Sequence, residues 1–227
     1  WSLMGVVIEK PILTHQALEH NFTNEGGIDD TFRFLKNIMG LWIMQECRRT
    51  WNKTGYTFDY DQLVDAAARA SPFATLIDPD DQRFLSPGDM PERLKEYWIK
   101  SGQKVADSPG SIVRSILEGL SLKYRYTSEC IENIIERHFD IIHIVGGGVQ
   151  NKLLCQFTAN ATKKTVIAGP VEATAIGNIM VQAIGINEVS NIDEARQIIR
   201  NSFVPQIYTP CESEIWDSAY EKFVSLI

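Results

Sequence analysis

The spacing of hydrophobic and polar positions divides the chain into a β-rich opening, a helical middle and a βα close. Trp1 to Ile8 reads as a strand weakened by Gly5, and Asn21 to Gly27 as a second. Thr31 to Lys36 reads as a third, with Phe32, Phe34 and Lys36 alternating against Arg33 and Leu35. A helix is expected from about Asn37 to Trp51; Ile38, Leu41, Trp42 and Cys47 make its apolar side, while Asn37, Leu41 and Gln45 share another face. Lys53 to Tyr60 breaks the pattern. Asp61 to Ala70 then predicts a helix, with Asp59 and Gln62 at capping-box spacing. Ser71 to Pro91 predicts a solvated connection: its Asp78-Pro-Asp-Asp81 lacks the glycine and closing glutamate of an EF-hand. After a short helix over Met90 to Ser101, Ser108-Pro109 supplies an N-cap and first-turn pair for a long helix, Gly110 to Arg137.

The next stretch organises the rest. Ile141, Ile142, Ile144 and Val145 form a short apolar run, the pattern of a strand buried on both faces. Gly146, Gly147 and Gly148 end it, and Leu153, Leu154, Phe157 and Ala161 then recur at helical spacing. Strand, glycine turn and helix together present free backbone N–H groups and a positive dipole end to a ligand, and glycine lets that ligand approach closely. An anion or a nucleotide is implied; a plain tight turn is the alternative. A second such unit follows: strand Lys164 to Ala168, turn Gly169-Pro170, and a helix from Glu172 to Ile184 lined with Ala173, Ala175 and Gly177. Asn191 to Glu194 and Thr209 to Glu212 both resemble capping boxes, the second opening a helix with Ile215, Trp216, Ala219, Tyr220 and Phe223 inward.

Composition narrows the class. The 227 residues, 44% hydrophobic and 22% charged, suit a globular protein. A net charge of −7 argues against a nucleic-acid groove, and no apolar run is long enough to span a bilayer. Cys47, Cys130, Cys155 and Cys211 form no C-x-x-C pair and read as reduced thiols of a cytoplasmic protein. The chain opens at Trp1 inside an apolar segment, as if cut from something longer.

Three antiparallel strands, a helix, a helical insertion over about residues 53–106 and then parallel βα units predict an α/β fold of the ribonuclease H-like, actin-type ATPase class with one mixed sheet. There is no P-loop and no G-x-S-x-G elbow, and Asn151 stands where a dinucleotide fingerprint needs its third glycine.

Val145-Gly-Gly-Gly-Val-Gln-Asn-Lys-Leu-Leu154 resembles the adenosine motif of the FGGY carbohydrate kinases. Trp1-Ser-Leu-Met-Gly5, Thr23-Asn-Glu-Gly-Gly27, Leu35-Lys-Asn-Ile-Met-Gly-Leu-Trp42 and Ala168-Gly-Pro-Val-Glu-Ala-Thr174 resemble its rhamnulokinase branch, and the likeness covers essentially the whole chain. The resemblance implies that residues 1–227 are the carboxyl-terminal, nucleotide-binding domain of a two-domain sugar kinase, whose amino-terminal half carries the catalytic aspartate and most of the sugar site. It implies ATP as phosphoryl donor, Mg²⁺ on the phosphates, and the 1-hydroxyl of L-rhamnulose as acceptor. By the same resemblance Gly146, Gly147 and Gly148 pack against the nucleotide, Asn151 lies near adenosine, Gln45 contacts the nucleotide and Asn37 the sugar. Eight helical residues span about 12 Å, so one helix face would bridge the two substrates. L-fuculose is the alternative sugar, and a non-catalytic, nucleotide-binding sugar sensor the alternative class. No catalytic residue is expected in this chain, and no metal ligand is legible in it.

Overall fold

The computed structural model describes residues 1–55 and 57–227. Strand β1 (Ser2–Ile8) is followed by a short helix α1 (His15–Glu19), strand β2 (Thr23–Gly26) and strand β3 (Phe32–Ile38). Both β1 and β2 pair antiparallel with β3, which is therefore the central strand, so the three antiparallel strands expected are present but do not lie in their chain order. The reason lies in the connection. Thr14 caps α1 by accepting from the Ala17 N–H at 3.2 Å, and Asn24 bonds the Ile12 backbone through both ends of its amide, which carries β2 to the far edge of β3. Gly5, expected to weaken β1, is instead required by it: a Cβ there would collide with the Phe34 carbonyl and with Leu35.

The expected helix beginning at Asn37 does not form there. Asn37 lies on β3, opposite Leu3, and the helix α2 begins only at Trp42 (Trp42–Lys53). Pairing with β1 extends the strand through Ile38, whose side chain is buried, and Gly40 turns the chain with φ +59°, a conformation no helix passes through. Tertiary pairing overrode helical periodicity.

Helices α3 (Tyr60–Arg69), α4 (Met90–Lys100) and α5 (Pro109–Ile135) complete the middle of the chain. Their starts follow the local code: Asp59 with Gln62, and Ser108 with Ser111, form reciprocal capping boxes, and Pro109 occupies the first turn of α5. Apolar residues from all of them, among them Leu63, Leu94, Trp98, Ile116 and Leu120, make one core with Ile43 and Met44 of α2.

Charged groups are built into that core as well. Lys123 on α5 is buried and contacts Asp78 at 2.9 Å and Asp80 at 3.3 Å, while Asp80 also accepts from the Met39 N–H. Burial opposes the Lys123 charge, but the two carboxylates outweigh it and hold its pKa above the ordinary value. The Asp78 to Asp81 segment is thus not the solvated loop expected; its carboxylates fasten the connection to α5 and to the end of β3. On the same helix Glu118, 1% exposed, accepts from Arg114 at 2.7 Å and from the Phe73 N–H at 3.0 Å. Desolvation still raises its pKa to about 7 against the opposing pull of Arg114.

The close of the chain runs through β4 (Ile141–Ile144), α6 (Lys152–Thr162), β5 (Thr165–Ala168), α7 (Ala173–Gly185), α8 (Ile192–Ser202), β6 (Gln206–Tyr208) and α9 (Ser213–Val224). Strands β4 and β5 are parallel, and β6, which the hydrophobic pattern did not reveal, adds antiparallel to β5. The strands therefore lie in two three-stranded sheets, where one mixed sheet was expected. Nor is β4 buried on both faces: Ile141 is 48% exposed and Val145, just beyond it, 52%. No α7 side chain is buried.

Asn191 caps α8 as expected. Glu212 does not complete a capping box but is itself the residue before α9, at φ 55° and without a side-chain cap bond. The approach to α9 is set instead from α6, where Asn160 accepts from the Cys211 N–H and Gln156 donates to the Thr209 carbonyl. Trp216, Ala219 and Phe223 point inward as expected, Trp216 against Phe73 and Phe157, while Ile215 is exposed.

Candidate functional site

The parallel pairing of β4 and β5 brings both of their turns to one end of the sheet, the carboxyl end at which open α/β sheets place ligands. The turns are bonded to each other: the Gly169 N–H donates to Ile144 O at 2.9 Å and the Gly146 N–H to Pro170 O at 3.2 Å. Gly146 has φ +79°, so a side chain there would be strained. Gly147 is a different case. It is exposed, and a Cβ built on it meets nothing within 4 Å. After Gly146 the chain forms a single 3₁₀ turn, Gly147–Gln150, closed by Val149 N–H to Gly146 O and Asn151 N–H to Gly148 O. The Gly147 and Gly148 N–H groups donate to no acceptor among the described residues. Two unpaired donors, one on exposed Gly147 and one on half-buried Gly148, in the turn before α6, form a surface that polar or anionic ligand atoms can approach.

Asn151 joins this turn to the helix and is 1% exposed. Its Oδ1 accepts from the Leu154 N–H at 2.9 Å, capping α6, and its Nδ2 donates to the Tyr60 hydroxyl at 3.2 Å. Both ends of the amide are used internally. Tyr60, the first residue of α3, escaped the sequence reading because it is 91 positions from Asn151. The only local signal near it was the capping box one residue earlier.

Asn37 and Gln45 do not share a helix face. Asn37 is exposed near the end of β3 and Gln45 is exposed on α2, with Gly40 and its turn between them. No hydrogen bond joins either to the glycine turn among the described residues. The route from Gln45 to that turn is indirect. One helical step on, Arg48 Nε donates to Phe58 O at 2.8 Å, and Phe58 leads into Tyr60 and so to Asn151.

Other chemistry is muted. Cys47 and Cys155 are buried, and burial raises both thiol pKa values, that of Cys155 to about 11. Among the described residues no group of three or more His, Cys, Asp or Glu side chains is placed to hold a metal ion. No step is assigned to a metal ion. No described helix is long and apolar enough to cross a membrane.

Residues 1–186 match the FGGY family of carbohydrate kinases, C-terminal domain. The chain belongs to this family. Among curated relatives it is 43% identical over 227 residues to a rhamnulokinase of Bacteroides thetaiotaomicron, covering 100% of this chain and 46% of that protein. A rhamnulokinase of Bacillus subtilis is 40% identical over 210 residues, covering 92% of this chain and 43% of the relative. The FGGY chain thus spans a little under half the length of the curated relatives it matches.

Solved FGGY-like folds agree. A xylulose kinase from Rhodospirillum rubrum superposes with a TM-score of 0.65 at 16% identity, over 99% of this chain and 44% of that one. A gluconate kinase from Lactobacillus acidophilus gives 0.69 at 12% identity, over 99% and 44%. At such identities the likeness concerns the fold, which is that of the sugar-kinase carboxyl-terminal domain.

Proposed function

We propose that residues 1–227 are the ATP-binding domain of a two-domain carbohydrate kinase, and that the complete enzyme moves the γ-phosphoryl group of ATP to the 1-hydroxyl of L-rhamnulose. The observation that carries this reading is the pair of interlocked turns at the carboxyl ends of β4 and β5, with the Gly147 and Gly148 N–H groups unpaired and open space where a Gly147 side chain would stand. The sugar is favoured by the identity to rhamnulokinases along the whole chain. In this scheme Gly146, Gly147 and Gly148 form the floor under the nucleotide, Asn151 fixes the start of α6, Gln45 contacts the nucleotide from α2, and Asn37 contacts the sugar from β3. The segment of about 53–106 is the domain's helical insertion. The base that orients the hydroxyl, and the segment that approaches the phosphates, belong to the amino-terminal half, whose closure would exclude water. Little covalent chemistry is asked of a protein in phosphoryl transfer; positioning and electrostatics carry the rate. Mg²⁺ would travel with the ATP phosphates rather than on side chains of this domain. The setting is the cytoplasm, with its reduced thiols.

The test is a phosphoryl-transfer assay of the full-length protein with ATP and either L-rhamnulose or L-fuculose. Transfer to L-rhamnulose is expected, with kcat/KM at least about tenfold higher, the scale of one well-placed polar contact. The 227-residue chain alone is expected to bind adenine nucleotide weakly and to phosphorylate neither sugar. Turnover by that chain above a blank, or none by the full-length protein, overturns the proposal.

A further inference from the structure

We infer that Tyr60 is a positioning residue for the nucleotide site: its hydroxyl, through Asn151, holds the glycine turn in fixed relation to α2. This rests on the nucleotide reading above and adds a residue to it.

The bridge can be followed bond by bond. Phe58 is clamped onto α2, its N–H donating to Asn52 Oδ1 at 3.3 Å and its carbonyl accepting from Arg48 Nε at 2.8 Å, while its ring meets Trp51 edge-on at 5.9 Å. The chain then enters α3 through the Asp59–Gln62 capping box, which fixes where Tyr60 starts the helix. Tyr60 reaches Asn151, and Asn151 both caps α6 and closes the 3₁₀ turn through its own N–H to Gly148 O. Arg48 lies three residues beyond Gln45, so the two are neighbours on the surface of α2. The helix carrying Gln45 and the turn carrying Gly147 are therefore coupled by a short polar chain that passes through the insertion.

The hydroxyl has a role separable from that of its ring. The Tyr60 ring packs against the main core, and α3 is held to α5 independently, by buried Leu63 and Ala67 and by Arg114 donating to Ala67 O at 3.1 Å. Removing the phenol oxygen leaves that packing in place. It strands the Asn151 amide, which is buried and has no other acceptor among the described residues. An unpaired buried amide is costly, so Asn151 turns away, gives up its bond to Leu154 N–H, and frees the turn whose Gly147 and Gly148 donors face the ligand.

The experiment is calorimetric binding of ADP to the full-length protein and to Tyr60→Phe, with L-rhamnulose KM and thermal melts measured alongside. If the wild-type protein binds no ADP, the nucleotide reading itself fails, and with it this inference. If it binds, Tyr60→Phe is expected to weaken ADP by about three- to tenfold, the loss of one buried hydrogen bond, with the sugar KM within about twofold. Asn151→Ala weakens ADP as well, and adding Tyr60→Phe to it changes nothing more, because the hydroxyl acts through the amide. ADP affinity in Tyr60→Phe within about twofold of wild type, an equal loss for the sugar, or effects that simply add in the double variant would overturn the inference. Should Tyr60→Phe melt far below the wild type, Arg48→Met combined with Asn52→Ala removes both side-chain hydrogen bonds that hold Phe58 to α2 at the other end of the bridge, and must also weaken ADP. Unchanged ADP binding in that variant overturns the inference too.

Discussion

Between Ile38 and Tyr124 the large apolar side chains of this FGGY domain are mostly buried, with Phe84, Leu94 and Trp98 wholly so. Between Ile141 and Ile207 many stand in solvent, and Ile179 and Ile207 are 59% and 64% exposed. The polar groups divide the same way. In the helical middle Lys123, Asp78 and Asp80 satisfy one another inside the fold. At the glycine turn, two N–H groups are left over. Buried apolar packing is concentrated in the middle, whereas the βα close leaves apolar surface exposed and two backbone donors unpaired.

That contrast can be broken in three places. The largest effect is expected at Lys123. Lys123→Met removes the one charge in direct contact with both Asp78 and Asp80 among the described residues and should cost about 3–5 kcal/mol in chemical denaturation. A loss below about 1 kcal/mol would mean that the Asp78 to Asp81 segment does not hold the middle together.

Glu118 should give a smaller, pH-dependent effect. Its carboxyl holds a proton more tightly in the folded protein, at about 7, than the ordinary value of 4.5. Its contribution to stability is therefore full below pH 4.5 and lost as the pH rises through about 7. Glu118→Gln should flatten the stability profile across that window by about 2–3 kcal/mol relative to wild type. Parallel profiles for the two proteins, from denaturant melts between pH 4.5 and 8, would place the ionised carboxylate at no disadvantage in the core.

The smallest effect on energy is the most specific. A Cβ at Gly147 meets open space, and Gly147 is not among the residues with positive φ, so Gly147→Val should leave the melting temperature nearly unchanged. It should raise the KM for ATP by at least about tenfold, roughly 1.4 kcal/mol, with the sugar KM little altered. Equal effects on both substrates would show the turn to be a connection and nothing more. The same substitution at Gly146, held at φ +79°, should also lower the melting temperature.

Much of the local structure was legible in the sequence because it is decided by neighbours along the chain. The Asp59–Gln62 box, the Ser108–Pro109 start of α5, the Asn191 cap of α8 and the glycine triplet after an apolar run each occupy a few consecutive residues, and each appears as expected. Motif likeness likewise carried the family. What failed were inferences about which residues face each other. Asn37 and Gln45 match a helical period, but seven-residue pairing with β1 made Asn37 part of a strand. Thr209 to Glu212 has capping-box spacing, but bonds to Asn160 and Gln156 set that turn differently. Strand β6, the central place of β3 and the division into two sheets are pairing choices, made by hydrogen bonds between segments far apart in the chain.

The candidate site shows the same division. Its glycines could be read from the sequence, since a run of residues without side chains is visible by itself. Tyr60 and the buried state of Asn151 could not, nor, in the core, could the pairing of Lys123. A hydrogen bond or a charge pair across many tens of residues leaves no periodicity in either partner. The local sequence determined where α3, α5 and α8 begin and where the backbone can turn. Only the tertiary structure decided which polar groups are satisfied inside and which remain free for a ligand, because that depends on what packs against each group.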